Sequence, residues 1–196
     1  RTDLYEAEIS ATGGDLTKLE LLRHLSAEDR QRNLVLFEAK HAYAAQSGLI
    51  GQGLPNHKTV WQVSSGNADM KDGENELRVR LATSTSSGVG VAKTYVFRRG
   101  SYLIDVEFEI VNGTGEAIAP HAYFQLTRDG RPPEGANSMM STFTGPAFYS
   151  EADKFQKATF EDIAKNKAKV PAKTDNGWVA MVQHYFVSAW LPAGKG

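Results

Sequence analysis

The chain has 196 residues, 41% apolar and 23% charged, and its 22 Lys and Arg nearly balance 23 Asp and Glu for a net charge of −1. Such a composition is globular rather than disordered, and near-neutrality argues against a domain that binds by neutralising nucleic-acid phosphates. The absence of cysteine excludes disulfide scaffolds, thiolate zinc sites and thiol catalysis.

In chain order, residues 4–9 read as a first strand, closed by Gly13 and Gly14. Residues 34–37 and 60–63 are short β-rich runs. Leu77, Val79 and Leu81 alternate with Glu76, Arg78 and Arg80, the period of a strand with one buried and one wet face. Residues 93–98 and 102–110 flank Arg99, Gly100 and Ser101, a turn in which glycine is free to take positive φ, so 91–110 reads as a β-hairpin. In its second arm Tyr102, Ile104, Val106, Phe108 and Ile110 belong to the core face, and Glu107 and Glu109 to a solvated one, about 7 Å apart. Asn112, Gly113, Thr114 and Gly115 form a turn, 118–126 the next strand, and the Gly- and Pro-containing stretch 128–138 a loop. Residues 160–165 are the best helix, with Glu161 and Asp162 at its positive end.

Residues 165–173 hold four lysines and no acid. They read as a solvated loop or, more sharply, as a contact for acidic lipid headgroups or a partner. Residues 177–192 are β-prone and aromatic, with Trp178 and Trp190 expected as buried anchors. The longest nearly unbroken apolar run, 178–182, is far short of the ~20 residues of a membrane helix, and Arg1 reads as a fragment boundary. With no repeat and no linker, 1–196 is expected to be a single all-β domain, a sandwich or barrel of about ten or more short strands.

Motifs for common chemistries are missing: no GxGxxG after a strand, no P-loop, no HExxH, no GxSxG. The histidines at 24, 41, 57, 121 and 184 are scattered, none at metal-ligand spacing. No catalytic residue, cofactor or metal is therefore expected. One stretch, His121-Ala122-Tyr123-Phe124-Gln125-Leu126, resembles the His-x-Tyr-Phe-Asn-Leu element of galactose mutarotase-type aldose epimerases. That resemblance implies a general-acid role for His121 toward a sugar ring oxygen. Pro120 and Gln125 stand where that family has asparagines, and the chain stops before the position of its glutamate base. A mutarotase-like carbohydrate-binding or epimerase module is the alternative reading.

A second resemblance covers the whole chain. The segment from Asp175 through Gly177-Trp178-Val179-Ala180-Met181-Val182-Gln183-His184-Tyr185-Phe186-Val187-Ser188-Ala189-Trp190 to Pro192 closely resembles one in the large periplasmic domain of the YidC/Oxa family of bacterial membrane protein insertases. In the same order, Gly13-Gly14-Asp15 looks like that family's GGD, and Gln46-Ser47-Gly48-Leu49 its QSGL. Lys93-Thr94-Tyr95-Val96-Phe97-Arg98-Arg99-Gly100-Ser101-Tyr102 resembles its KT(Y/F)-x-(F/L)-x-RG-x-Y hairpin, and Thr144-Gly145-Pro146-Ala147 with Tyr149-Ser150 its TGPA-x-YS element.

The resemblance implies a galactose mutarotase-like β-supersandwich on the periplasmic face of the bacterial inner membrane, and a C-terminally truncated piece of the family domain. It implies a non-catalytic role that assists insertion and folding of inner-membrane proteins. The implied partners are accessory subunits of the Sec translocon (SecDF-type) and nascent membrane proteins, with no nucleic acid. The expected interface runs from the 112–115 turn through 151–169, where Lys154, Lys157, Glu161, Asp162 and Lys165 combine loop, short amphipathic helix and mixed charge. The plainer alternative is that 151–169 merely closes the end of the sandwich.

Overall fold

The computed structural model describes residues 1–64, 68–133, 142–183 and 185–192. Part of the expected 128–138 loop, from 134 onward, and His184 lie outside the described residues. The strands are β1 (Tyr5–Ile9), β2 (Leu16–Leu25), β3 (Asn33–Phe37), β4 (Ala44–Ile50), β5 (Gln62–Val63), β6 (Glu76–Ser84), β7 (Val89–Arg98), β8 (Ile104–Asn112), β9 (His121–Thr127), β10 (Thr144–Ser150), β11 (Lys154–Lys157), β12 (Gly177–Gln183) and β13 (Phe186–Trp190). The one α-helix among the described residues is α1 (Phe160–Ala164). No described helix is long and apolar enough to cross a membrane. The all-β class is the expected one. The chain forms two compact units, 1–124 and 125–196, with the boundary inside β9.

The first unit carries two sheets. One runs β1-β2-β4-β9, with β3 also on β2; the other runs β5-β6-β7-β8. Rings of Tyr5 on β1 and Phe97 on β7 meet at 6.2 Å, so the sheets face each other across an aromatic layer. β2 is a ten-residue strand with no strand signal of its own in the sequence. Its residues, LTKLELLRHL, are mostly good helix formers. Pairing with β1, β3 and β4 overrides that preference, and a register shift opposite Glu8 and Ile9 lets Leu16 join Leu19 and Leu21 in the core despite the wrong parity.

β7 is buried on both faces. Lys93, Tyr95 and Phe97 point into the sandwich, while Ala92, Thr94 and Val96 lie on the outer face and are still covered. The cover is ionic. Arg78 pairs with Glu107, Arg80 with Glu109 at 2.6 Å and Arg98 with Asp105 at 2.5 Å, all reaching from β6 or β7 toward β8. The arginine stems roof the small central residues while their heads stay half in water. Glu107 and Glu109, expected as a merely solvated face, are exposed but each holds an arginine.

β8 has the expected alternation with less burial than expected. Ile104, Val106, Phe108 and Ile110 are half-buried, because β8 is the edge strand of its sheet and is flanked on one side only. Tyr102 precedes the strand and is 50% exposed, stacking on Tyr5 at 6.1 Å. The 60–63 run shortens to Gln62–Val63, and its Trp61 becomes the buried tryptophan, 2% exposed.

The second unit holds one antiparallel sheet in the order β11-β10-β12-β13. Trp178 and Trp190 are half-buried rather than enclosed anchors. Trp178 stacks on Tyr149 across the β10–β12 pair at 5.9 Å and 12°, and the Trp190 indole N–H donates to the Gln125 carbonyl at 3.0 Å. Part of the expected loop at 151–169 is a true strand, β11. The helix forms where expected: the Thr159 hydroxyl caps it by accepting from the Asp162 N–H at 3.0 Å and donating to the Asp162 carboxylate at 2.7 Å.

These burial differences set an order of destabilisation. Leu81, fully enclosed, is expected to cost about 3 kcal/mol on truncation to alanine, and half-buried Phe108 about 2 kcal/mol. Glu107→Ala, which removes one exposed ion pair, should cost under about 1 kcal/mol. Urea melts of the three variants measure this, and equal losses would contradict the assignment of faces.

Candidate functional site

Of the interface expected from the 112–115 turn through 151–169, the turn belongs to the first unit, whereas Lys154, Lys157, Glu161, Asp162 and Lys165 lie in the second. Lys154 and Lys157 bracket β11, which is exposed along its length and lies at the edge of its sheet. Their pairing with Ser150 and Ala147 puts them at positions of opposite parity, hence on opposite faces of that sheet. Lys154 takes a left-handed φ of 57° and pairs with Glu151 at 3.3 Å. The Lys157 ammonium stands 4.8 Å from the Phe143 ring centroid and 5.8 Å from that of Phe155. Lysines on an edge strand discourage pairing with a foreign strand, so contact here would run through side chains.

On α1, Glu161 and Lys165 pair one turn apart, while Asp162 is consumed by the cap. The structure thus brings Glu161 and Lys165 together and does not gather the five residues onto one face.

A different polar cluster, which the sequence reading did not assemble, lies sealed inside the first unit. Lys93, 0% exposed, donates from its ammonium to the Gly13 carbonyl at 3.2 Å and the Ser47 carbonyl at 3.0 Å. The Tyr95 hydroxyl donates to the Gly14 carbonyl at 2.6 Å, and the Gln46 amide donates to the Asp15 carboxylate at 2.6 Å. Gly13 and Gly14 turn the chain at φ of 80° and 60°, which aims both carbonyls inward. Beside them the Tyr123 hydroxyl accepts from the His57 N–H at 2.9 Å and lies 2.6 Å from its Nδ1.

Burial brings the Lys93 ammonium down to about 8, with the Asp15 charge pulling the other way. Burial likewise raises the Asp15 carboxyl, against the Gln46 hydrogen bond and the Lys93 charge. Burial also pushes the Tyr95 phenol well above its ordinary value. An amine with this pKa would be a useful nucleophile if substrate could reach it. Full enclosure makes it a fastener between sheets instead. The signal that could have found it is parity: Lys93 shares the inward face of β7 with Tyr95 and Phe97.

His121 opens β9 and is exposed, with no hydrogen bond or ion pair to a carboxylate among the described residues. It is also absent from the walls of an open groove of about 790 Å³ beside β1 and β6, lined by Tyr5, Ala7, Leu77, Val79 and Phe97. No group of three His, Asp or Glu among the described residues is placed to hold a metal.

The YidC periplasmic domain family matches residues 1–196. A membrane protein insertase YidC of Dechloromonas aromatica is 57% identical over 194 residues, which is 99% of this chain and 36% of that protein. The insertase of Aromatoleum aromaticum is 54% identical over 197 residues, covering 99% and 36%, and that of Nitrosospira multiformis 47% identical over 197, covering 100% and 35%. The chain therefore spans about a third of the length of the relatives it matches.

The buried ammonium makes a prediction about pH. Between about 8 and the ordinary lysine value near 10.4, the unfolded chain holds a proton that the folded one has released. Stability from this group therefore rises with pH across that window. The raised tyrosines act oppositely above about pH 10, but they are common to wild type and a Lys93→Met variant. The stability difference between the two is expected to shift by roughly 3 kcal/mol in favour of wild type from pH 7.5 to 10.5. Parallel stability curves from urea melts would show that the ammonium is not held in the enclosure described.

Proposed function

The chain belongs to the YidC periplasmic domain family, and from that premise we propose that residues 1–196 work as one non-catalytic domain that assists insertion and folding of inner-membrane proteins. The family's place is the periplasmic side of the bacterial inner membrane. The observation that carries the reading is that the signature residues Gly13, Gly14, Asp15, Ser47, Lys93 and Tyr95 converge on an enclosed fastener and not on an open cleft. What remains for function is surface.

The partner reading rests on the exposed β11 and α1 region. Lys154 and Lys157 on β11 and Lys165 on α1 offer cations, Glu161 offers an anion beside Lys165, Asp162 lends its charge through the cap, and Phe155 is 48% exposed on β11. Such a mix suits a modest, polar, reversible interface. The chemistry that fits is an accessory subunit of the Sec translocon, of the SecDF type, or a nascent membrane protein. Contacts of this kind are screened within about 8 Å at physiological ionic strength and weaken with salt.

Reversing Lys154, Lys157 and Lys165 to Glu in the full-length insertase is expected to lower co-purification with the translocon roughly tenfold or more. The melting temperature should stay close to wild type, because all three are exposed and what is lost is two exposed ion pairs, Glu151–Lys154 and Glu161–Lys165, and the Lys157 contacts with the Phe143 and Phe155 rings. Full co-purification of this variant, with loss on changing the Arg78, Arg80 and Glu107 face instead, would move the interface elsewhere.

A further inference from the structure

Past α1 the chain carries an exposed segment rich in lysine, most of whose charged side chains have no partner among the described residues. Lys165 caps the helix, and Asn166 ends it with a left-handed φ of 53°. The N–H groups of Lys167 and Ala168 both return to the Asp162 carbonyl, at 2.7 and 3.3 Å, so the chain makes a tight exit and then runs on without regular structure to Asn176. Lys165, Lys167, Lys169 and Lys173 are all exposed. Only Lys165 has an acidic partner; Lys167, Lys169 and Lys173 make no side-chain hydrogen bond or ion pair among the described residues. Between the lysines, Val170 is 61% exposed, and Ile163 on the helix is 43% exposed.

We propose that residues 163–173 dock on the surface of an anionic phospholipid bilayer, lysines on headgroup phosphates and Ile163 and Val170 at the acyl boundary. The proposal rests on the periplasmic membrane-side placement of the family and is independent of the partner contact at β11. The charge is one-signed where a protein interface usually mixes signs: six lysines against two acids over 154–173, and four against none over 165–173. Every cation in the stretch is lysine and none is arginine. Lysine is a point charge suited to a diffuse layer of phosphates, whereas arginine dominates where a carboxylate must be met in fixed bidentate geometry. Exposed apolar side chains interleaved with lysines are the pattern of a segment lying in the interfacial plane. An unpaired lysine also gives up no internal partner on meeting a phosphate.

Each lysine close to an anionic surface strengthens binding about fivefold, and the attraction fades within a Debye length. The test sediments the full chain with vesicles of phosphatidylglycerol and phosphatidylethanolamine, and in parallel with pure phosphatidylcholine vesicles. Binding is expected on the anionic vesicles at low salt, little on the neutral ones, and loss at high salt. A Lys167→Gln, Lys169→Gln, Lys173→Gln variant should bind roughly 100-fold more weakly, whereas the same three positions changed to Arg should retain binding. An unchanged melting temperature shows that the variants are folded.

Equal sedimentation of wild type and the Gln variant overturns the proposal, as does wild type failing to bind anionic vesicles at low salt. If the Gln variant loses a translocon partner while neither form binds vesicles, the segment recognises an acidic protein and the lipid assignment is wrong. Co-purification lost on reversing Lys154 and Lys157 alone, with vesicle binding through 163–173 intact, separates this proposal from the partner reading.

Discussion

The ammonium of Lys93 sits between the two sheets of the first unit and donates to carbonyls 80 and 46 positions away in the chain. Enclosing a charge costs several kcal/mol, which hydrogen bonds from its protons to well-aimed acceptors offset in part. Here the acceptors are backbone carbonyls, which can be aimed inward only if the chain turns sharply before β2. That requirement explains the glycines. Gly14 has a φ of 60°, and a Cβ there would lie 3.3 Å from the Lys93 side chain. At Gly13 a Cβ would come within 2.5 Å of the His57 carbonyl, and at Gly48 within 2.8 Å of the Asn56 backbone and the Tyr123 ring. Motifs that look separate along the chain are the walls of one small enclosure.

The same cation sets register. Side chains on a strand alternate faces, so a slip of β7 by one residue would exchange Lys93, Tyr95 and Phe97 with Thr94, Val96 and Arg98. The slip would bring Arg98 to the inner face and carry Lys93 into the arginine roof. An apolar residue at position 93 would fill the core without imposing that penalty. A buried lysine that binds only at one register therefore trades some stability for specificity, which is one established use of buried polar groups.

Much of this fold is legible in the sequence, and the failures have physical reasons. The hairpin through Gly100 shows because its second arm alternates with period two, its first arm is rich in β-prone residues and a glycine turn joins them, and α1 shows because Thr159, Glu161 and Asp162 carry a start signal. β2 is hidden because leucine, lysine and glutamate favour helix locally, and only its neighbours on both sides make it a strand. The depth of burial on β8 is hidden because alternation reports which face is apolar and says nothing about edge position. The polar cluster is hidden for a related reason. Each of its members sits in a recognisable stretch, yet hydrogen bonds across 46 to 81 positions depend on which sheets stack. The exposed lysines after α1 are legible without qualification, since a one-signed run near a proline has nowhere to go but water.

Charge is handled differently in different parts of the chain, and the difference bears on which surface is free to bind. On the outer face of the β5-β6-β7-β8 sheet, Arg78, Arg80 and Arg98 are each matched with a carboxylate, and their stems shield Ala92, Thr94 and Val96. A partner laid on that face would have to desolvate pairs that already satisfy one another, and it would recover little in exchange. At β11 the lysines guard an edge and each has a local neighbour, an acid for Lys154 and aromatic rings for Lys157. Beyond α1, Lys165 keeps Glu161, but Lys167, Lys169 and Lys173 have no side-chain hydrogen bond or ion pair among the described residues. A counter-charge arriving there competes only with water. The desolvation cost is smallest where the charge is long-stemmed, exposed and unmatched, so electrostatic attraction to an anionic surface is least offset along 167–173.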